Sequence, residues 1–157
     1  MNGKQYVVVA AVAGIGLILA VSLSHSAPAV APQQTLLNHQ LTPGMVMTTD
    51  TALICQKGYA GSVRNVPNSI KNQVFAEYGV TKHSGSTYEV DHLIPLELGG
   101  ANDIKNLWPE PAPEFHTKDR VENAAHDAVC SGRLDLPEAQ QKMAENWADL
   151  GVQLGVH

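Results

Sequence analysis

The residues best suited to chemistry lie between Tyr88 and Pro109, in the stretch YEVDHLIPLELGGANDIKNLWP. A short alternating run ends there in a carboxylate and an imidazole, Asp91 and His92. Asn106 follows His92 after 14 positions, and His116 follows Asn106 after ten. A neutral imidazole is a good general base near pH 7. A hard divalent cation held by few protein ligands can take the negative charge of a phosphate. These residue types therefore suit the attack of an activated water on a phosphodiester.

The stretch resembles the HNH, or ββα-metal, nuclease motif in the order and spacing of Asp91, His92, Pro95, Gly99, Gly100, Asn106 and Leu107. The resemblance covers roughly residues 55–147. Over this range the chain is similar to a widespread group of small bacterial HNH-like proteins. One departure concerns cysteine. Many HNH proteins carry two cysteine pairs that form a zinc ribbon, whereas this chain has 2 cysteines in all.

The resemblance implies a role for each of four side chains. His92 would be the general base, and Asp91 would ligate the metal. Asn106 would act as a catalytic-site residue that holds the loop and can face the metal. His116 would complete the metal site from the start of a helix. The implied cofactor is a divalent metal, Mg²⁺ in the first place, with Mn²⁺ or Zn²⁺ as alternatives.

The expected fold class is α+β, with a small ββα-metal core and flanking helices. A short antiparallel hairpin containing Asp91 and His92 should pack on a helix over residues 114–130, which carries an apolar stripe. Two further helices are expected, one starting at Pro67 and ending at Gly79 and one over about residues 137–150. The proline-rich stretch 108–113 should be extended. Strand-like runs are expected at residues 52–54 and 63–66.

The amino terminus reads as an export segment. Tyr6 to Leu23 is apolar or glycine apart from Ser22, and it follows Lys4. Residues 1–26 are therefore interpreted as a signal peptide, cleaved after Ser26 or Ala29, or alternatively as a signal anchor. Residues 27–50 form a linker, and residues 51–157 form the HNH-like domain. The protein is expected to be periplasmic or secreted, touching a membrane only through an uncleaved first segment.

The charge balance argues against a strong or sequence-specific nucleic-acid binder. A cut after Ser26 leaves 9 Lys and Arg against 15 Asp and Glu, whereas proteins that live on DNA usually show a basic surface. Nucleic acid is thus expected only as a transient substrate, with Lys118 and Arg120 as candidate phosphate contacts. Glu122 and His126, four positions apart, are expected to pair on the helix surface. The oligomeric state is left open.

The cysteines Cys55 and Cys130 are expected to form a disulfide, because they are the only 2 in a chain with an export segment. Three functions remain open. The first is an exported metal-dependent endonuclease of low sequence specificity. The second is a non-catalytic envelope or binding module on the HNH scaffold, and the third is a hydrolase acting on another phosphoester.

Overall fold

A computed structural model describes residues 36–156. Its elements follow in the order α1 (Thr51–Ile54), α2 (Tyr59–Val63), α3 (Asn68–Glu77), β1 (Tyr88–His92), β2 (Leu107–Pro111), α4 (Glu114–Cys130) and α5 (Leu136–Gln153). This mixture of helices with one small sheet confirms the expected α+β class. Residues 1–26, expected to be a signal peptide or signal anchor, and the first part of the expected linker lie outside the described residues. Within residues 36–156, no helix has the length and apolar character needed to cross a membrane.

The sheet consists of β1 and β2 paired antiparallel, with Tyr88 opposite Pro111 and His92 opposite Leu107. Each strand has one unpaired edge, which is where a strand tolerates prolines such as Pro109 and Pro111, since they lack an N–H donor. The sheet packs on α4. The predicted hairpin that carries Asp91 and packs on the 114–130 helix is therefore present.

The connection between the strands is braced by one buried amide. The Asn106 side-chain oxygen accepts from the backbone N–H groups of Ile94 (3.0 Å) and Met45 (3.2 Å). Its nitrogen donates to the carbonyls of Ile94 and Ala101, both at 2.9 Å. Gly100 lies against this brace so closely that a Cβ there would sit 1.8 Å from the Ile94 carbonyl oxygen. The loop is thus fixed to the end of β1.

Helices α4 and α5 pack against each other and supply much of the core. Gly132, at φ 73°, lies just past the end of α4, and Pro137 occupies the first turn of α5. The buried apolar side chains that join the helices to the loop after β1 include Leu93, Leu98, Trp108, Val121, Ala125, Met143, Trp147 and Leu150. The loop that follows β1 is therefore part of the same core as α4 and α5.

The segment before α1 belongs to the folded body, although the sequence indicated a linker as far as residue 50. Thr42 is fully buried, and its hydroxyl donates to the Leu107 carbonyl at 2.8 Å. Val46 forms an antiparallel bridge with Gly100, and the Met47 N–H donates to the Gly99 carbonyl at 2.8 Å. Pairing with a distant loop leaves no periodic pattern in the sequence, which is why the segment reads as unstructured.

The run at residues 52–54 is helical and not strand-like. Asp50 caps α1 by accepting a hydrogen bond from the Leu53 N–H at 3.2 Å. The expected extended run at 63–66 likewise begins inside α2. Cys55 and Cys130 form the expected disulfide, with their Cα atoms 5.7 Å apart. This bond joins the end of α1 to the end of α4.

Candidate functional site at the end of strand β1

His92 and Asp91 end β1 and, as neighbours on a strand, point their side chains to opposite faces. The His92 ring is 2% exposed, and its Nε2 lies 3.1 Å from the Asn102 side-chain oxygen. The Asn102 nitrogen donates to the Val63 carbonyl at 2.8 Å. The amide orientation set by that bond makes its oxygen the acceptor, so His92 Nε2 carries the hydrogen. Nδ1 of the neutral ring is then the basic nitrogen.

Burial lowers the pKa of His92, and the positive charge of Arg64 adds to this effect. The hydrogen bond to Asn102 and the carboxylate of Asp91 act in the opposite direction but do not overcome burial. The imidazole is therefore neutral at pH 7, which is the form that can accept a proton.

On the other face, Asp91 meets a fully buried lysine. Lys118 is 0% exposed, and its Nζ donates to Asp91 Oδ2 at 2.5 Å and to the His92 carbonyl at 2.8 Å. It also forms an ion pair with Glu122, four residues further along α4. A backbone carbonyl and a side chain at the end of β1 are thus both hydrogen-bonded to Lys118, in the second turn of α4.

A cluster of three carboxylates surrounds Asp91. Glu89, Asp91 and Glu110 offer oxygens that lie within 4.8 Å of one another. Glu89 and Glu110 stand directly opposite each other in the sheet, an arrangement that is unfavourable when both are ionised. Burial raises the pKa of Glu110 to about 10, so this carboxyl is protonated at neutral pH.

The ionisable groups in and around the cluster differ in their pKa shifts and therefore in their charge at neutral pH. Burial raises the pKa of Glu122 to about 7 despite the nearby ammonium of Lys118. Burial alone would lower the pKa of Lys118, but the negative charges of Asp91, Glu122 and Glu110 outweigh it and raise that pKa. Burial by itself would raise the pKa of Asp91, but the positive charge of Lys118 outweighs burial and holds that pKa below its ordinary value. Asp91 and Lys118 are therefore the permanently charged pair.

The cluster suits a hard divalent cation on two structural grounds. Its donors are all carboxylate oxygens, which Mg²⁺, Mn²⁺ and Ca²⁺ prefer. In addition, Glu110 Oε1 is buried and has no hydrogen-bond partner among residues 36–156. A buried acceptor without a partner is costly, and coordination to a cation would remove that cost.

A cleft of about 470 Å³ opens over the cluster. Glu89, Asp91, Asp119 and Glu122 contribute acidic groups to its lining, while Arg64 and Lys71 contribute exposed cations. The remaining lining residues come mainly from α3 and the loop before β1. A cleft with carboxylates and free basic side chains can hold a cation and a phosphate together.

The structure separates the residues that the sequence grouped. Asp91 lies in the carboxylate cluster, and the His92 side chain is on the opposite face of β1. The side-chain oxygen and nitrogen of Asn106 are hydrogen-bonded to the backbone of the loop. His116 is exposed in the first turn of α4, where its ring packs edge-on against Phe115 at 4.4 Å. Its charge has a minor lowering effect on the pKa of Glu89, which burial raises.

The two candidate phosphate contacts on α4, Lys118 and Arg120, differ in their exposure to solvent. Arg120 is exposed, as a phosphate contact requires. Lys118 was expected at the surface but is buried, with Asp91, Glu122 and the His92 carbonyl as its partners. It cannot reach a substrate phosphate from that position, because its ammonium group is buried and already paired with carboxylates.

Several residues of the site were not predicted from the sequence. The i,i+4 spacing of Lys118 and Glu122 was a usable signal, but Glu122 was assigned instead to His126. The His126 Nε2 in fact lies 3.3 Å from the Ile54 carbonyl. Glu110 became visible only through its strand register. Comparison with known proteins adds no further constraint, since no protein-family model, no curated protein and no solved structure matches this chain.

Proposed function

We propose that the protein is an exported, metal-dependent endonuclease of the HNH-like type, hydrolysing phosphodiester bonds with low sequence specificity. One observation carries the proposal. At the end of β1, a neutral and oriented imidazole, His92, is next in sequence to Asp91, which belongs to a carboxylate cluster on the opposite strand face that suits a divalent cation. The order strand, loop, strand, helix around it is the order of a ββα-metal unit.

In this proposal His92 is the general base. Asn102 fixes the ring by accepting from Nε2, and Nδ1 takes the proton of the attacking water. Asn106 holds the loop after β1 and does not meet the substrate. When bound at Glu89, Asp91 and Glu110, a cation such as Mg²⁺ or Mn²⁺ would supply positive charge to the phosphate oxygens. Glu110 would give up its proton to take part in that binding.

The cleft accounts for weak, non-specific contact with nucleic acid. Arg64 and Lys71 line it as exposed cations, and side chains of this kind bind phosphates without reading bases. The formal net charge of −5 opposes tight binding elsewhere on the surface. The Cys55–Cys130 disulfide is compatible with an oxidising compartment outside the cytoplasm.

A specific observation favours the alternative, a non-catalytic binding or envelope module. The ammonium of Lys118 already lies between Asp91 and Glu122. An internal cation can satisfy the charge of these carboxylates without any metal. In that case the cluster would be structural, and the cleft would serve binding alone.

Metal-dependent cleavage of supercoiled plasmid DNA and of RNA by the full-length chain separates the two functions. Cleavage should need Mg²⁺ or Mn²⁺ and stop on chelation. His92→Ala should lower the rate by about 10²–10⁴, the usual contribution of a general base. His39→Ala, an exposed histidine outside the cleft lining, is the matched control and should keep the wild-type rate.

His39→Ala should melt near the wild-type temperature, whereas His92→Ala empties a buried position and should melt lower. Cleavage is therefore assayed at a temperature at which circular dichroism shows both variants to be folded. Full metal-dependent cleavage by His92→Ala would refute the mechanism. Absence of any cleavage by folded wild type, with small phosphodiesters also left intact, would establish the non-catalytic module instead.

A further inference from the structure

A second group of metal-ligand types lies on the far end of α4, around the disulfide. Cys55, His126 and Cys130 each offer one ligand atom, and these atoms all lie within 4.8 Å of one another. His126 and Cys130 are four residues apart, so they share one face of the helix. Cys55 reaches the same point from the end of α1.

The distances match those of a tetrahedral zinc site. With Zn–S of about 2.3 Å and Zn–N of about 2.0–2.1 Å, a sulfur and a nitrogen ligand lie about 3.5 Å apart, and two sulfurs about 3.8 Å. His126 Nε2 lies 3.4 Å from Cys130 Sγ. The Cα atoms of the cysteines are 5.7 Å apart, and rotation about their Cα–Cβ bonds can bring the separated sulfurs to the zinc spacing.

The surroundings allow both a reductant and a metal to enter. Cys55 and Cys130 are exposed, and His126 is half-buried. A cleft of about 240 Å³ adjoins the group, with Cys55, His126 and the half-buried Glu97 in its lining. The three protein ligands leave a fourth zinc position open towards this cleft.

We propose that reduction of the Cys55–Cys130 bond converts this junction into a Zn²⁺ site ligated by Cys55, Cys130 and His126. A dithiol supplies two electrons and two protons; the S–S bond breaks, two thiols form, and the dithiol leaves as its own disulfide. Zn²⁺ then displaces both thiol protons. His126 carries its remaining proton on Nδ1, so that Nε2 turns from the Ile54 carbonyl to the metal.

Thiolate and imidazole ligands select zinc over the hard cations suited to the carboxylate cluster near β1. The two metal sites thus differ in chemistry, and the second does not depend on the proposed nuclease activity. The α1–α4 junction would be closed by a disulfide in an oxidising compartment and by zinc in a reducing one.

Cobalt titration of the full-length chain tests the proposal. The chain is reduced with dithiothreitol, freed of it without oxygen, and titrated with Co²⁺ while visible absorption is recorded. We expect one Co²⁺ per reduced chain with a thiolate-to-cobalt charge-transfer band, displaced by Zn²⁺. The oxidised chain should show no such band, because its sulfurs are bonded to each other. The oxygen ligands of the carboxylate cluster cannot produce one.

His126→Ala is the diagnostic variant, and His116→Ala, exposed on the same helix, is its matched control. Loss of one of three ligands should weaken Co²⁺ binding by more than about tenfold, whereas His116→Ala should bind as the wild type does. Equal affinity of His126→Ala, the same band in the oxidised chain, or no band in the reduced chain would each overturn the site. Circular dichroism is recorded alongside, and a reduced chain that neither Co²⁺ nor Zn²⁺ can fold would overturn it as well.

Discussion

Lys118 is the residue on which the acidic interior depends. Its side chain is fully buried and serves two carboxylates and a backbone carbonyl. Breaking a buried pair by removing one partner leaves an uncompensated charge and costs about 3–5 kcal/mol. A buried cation of this kind is therefore worth more to the folded state than its exposed counterparts.

We expect Lys118→Met to lower the free energy of unfolding by about 3–5 kcal/mol at pH 7, because Asp91 would keep its charge without a partner. Urea denaturation at equilibrium measures the change. Lys142→Met is the matched control: it breaks the i,i+4 pair with Glu138, whose side chains are 33% and 51% exposed, and should cost at most about 0.5 kcal/mol. Equal losses in the two variants would contradict the assigned role of Lys118.

Glu110 should make stability fall as the pH rises from 7 to 9. The folded state keeps this proton up to about pH 10, the pKa of Glu110, whereas the unfolded chain releases it near the ordinary glutamate pKa of 4.5. The folded state therefore binds one more proton over this range, and the free energy of unfolding falls by about 1.4 kcal/mol per pH unit. Glu122, with a folded pKa of about 7, adds to this slope near pH 7 and contributes little above pH 8, and burial lowers the pKa of His92, so the interval from pH 8 to pH 9 reports on Glu110.

Denaturant unfolding at pH 8, 8.5 and 9 should therefore give a steep decline for the wild type and a nearly flat profile for Glu110→Gln. The amide keeps the shape of the protonated acid but has no proton to lose. Glu138→Gln, at an exposed position on α5, should retain the wild-type slope. A slope unchanged in Glu110→Gln would show that another group titrates.

At the scale of elements, the loop after β1 depends on close backbone contact as well as on Asn106. We expect Gly100→Ala to destabilise the fold by at least about 3 kcal/mol, since the new methyl group would overlap the Ile94 carbonyl and push the amide of Asn106 aside. Thermal unfolding measures the loss. Gly61→Ala, in α2 with open space around its Cβ position, should be neutral or slightly stabilising.

The elements that the sequence predicted well are those with local signals. The α4 bounds follow from the proline-rich stretch before residue 114, the apolar stripe within the helix and Gly132 after it. Trp147, expected in the core, is 3% exposed. The hairpin was predicted from the short extended run before the turn at Gly99 and Gly100. Its second strand, β2, overlaps the proline-rich stretch that the sequence indicated only as an extended connector.

The elements and contacts that were not predicted from the sequence depend on partners far away in the chain. α1 has only four residues, too few for a periodic pattern, and its cap Asp50 looked like the end of a linker. The burial of Lys118 depends on how β1 lies across α4, and the role of Glu110 depends on strand register. Neither can be read from spacing along the chain. The bond between His92 and Asn102 likewise joins residues whose proximity is set by the loop.

At the scale of the whole molecule, the disulfide spans 75 positions and holds a small core together. Closing a loop of this length restricts the unfolded chain by about 4 kcal/mol. We expect the midpoint of thermal unfolding to fall by at least about 10 °C in dithiothreitol with a chelator present. The double variant Cys55→Ser/Cys130→Ser should melt at the lower temperature with or without reductant. A reductant-dependent shift in that variant would indicate another cause.

The same bond decides how the molecule would respond to mechanical force. Both strands, the carboxylate cluster and α4 lie between Cys55 and Cys130 in the chain. Tension applied outside these residues crosses from one cysteine to the other through the covalent bond, so the ring they enclose carries no load. α5 and residues 36–50 lie outside the ring, and pulling would strip them away first. Gln140, which donates to the Thr48 and Leu98 carbonyls at 2.8 and 2.7 Å, would then release the turn at Gly99 while the ring stayed closed.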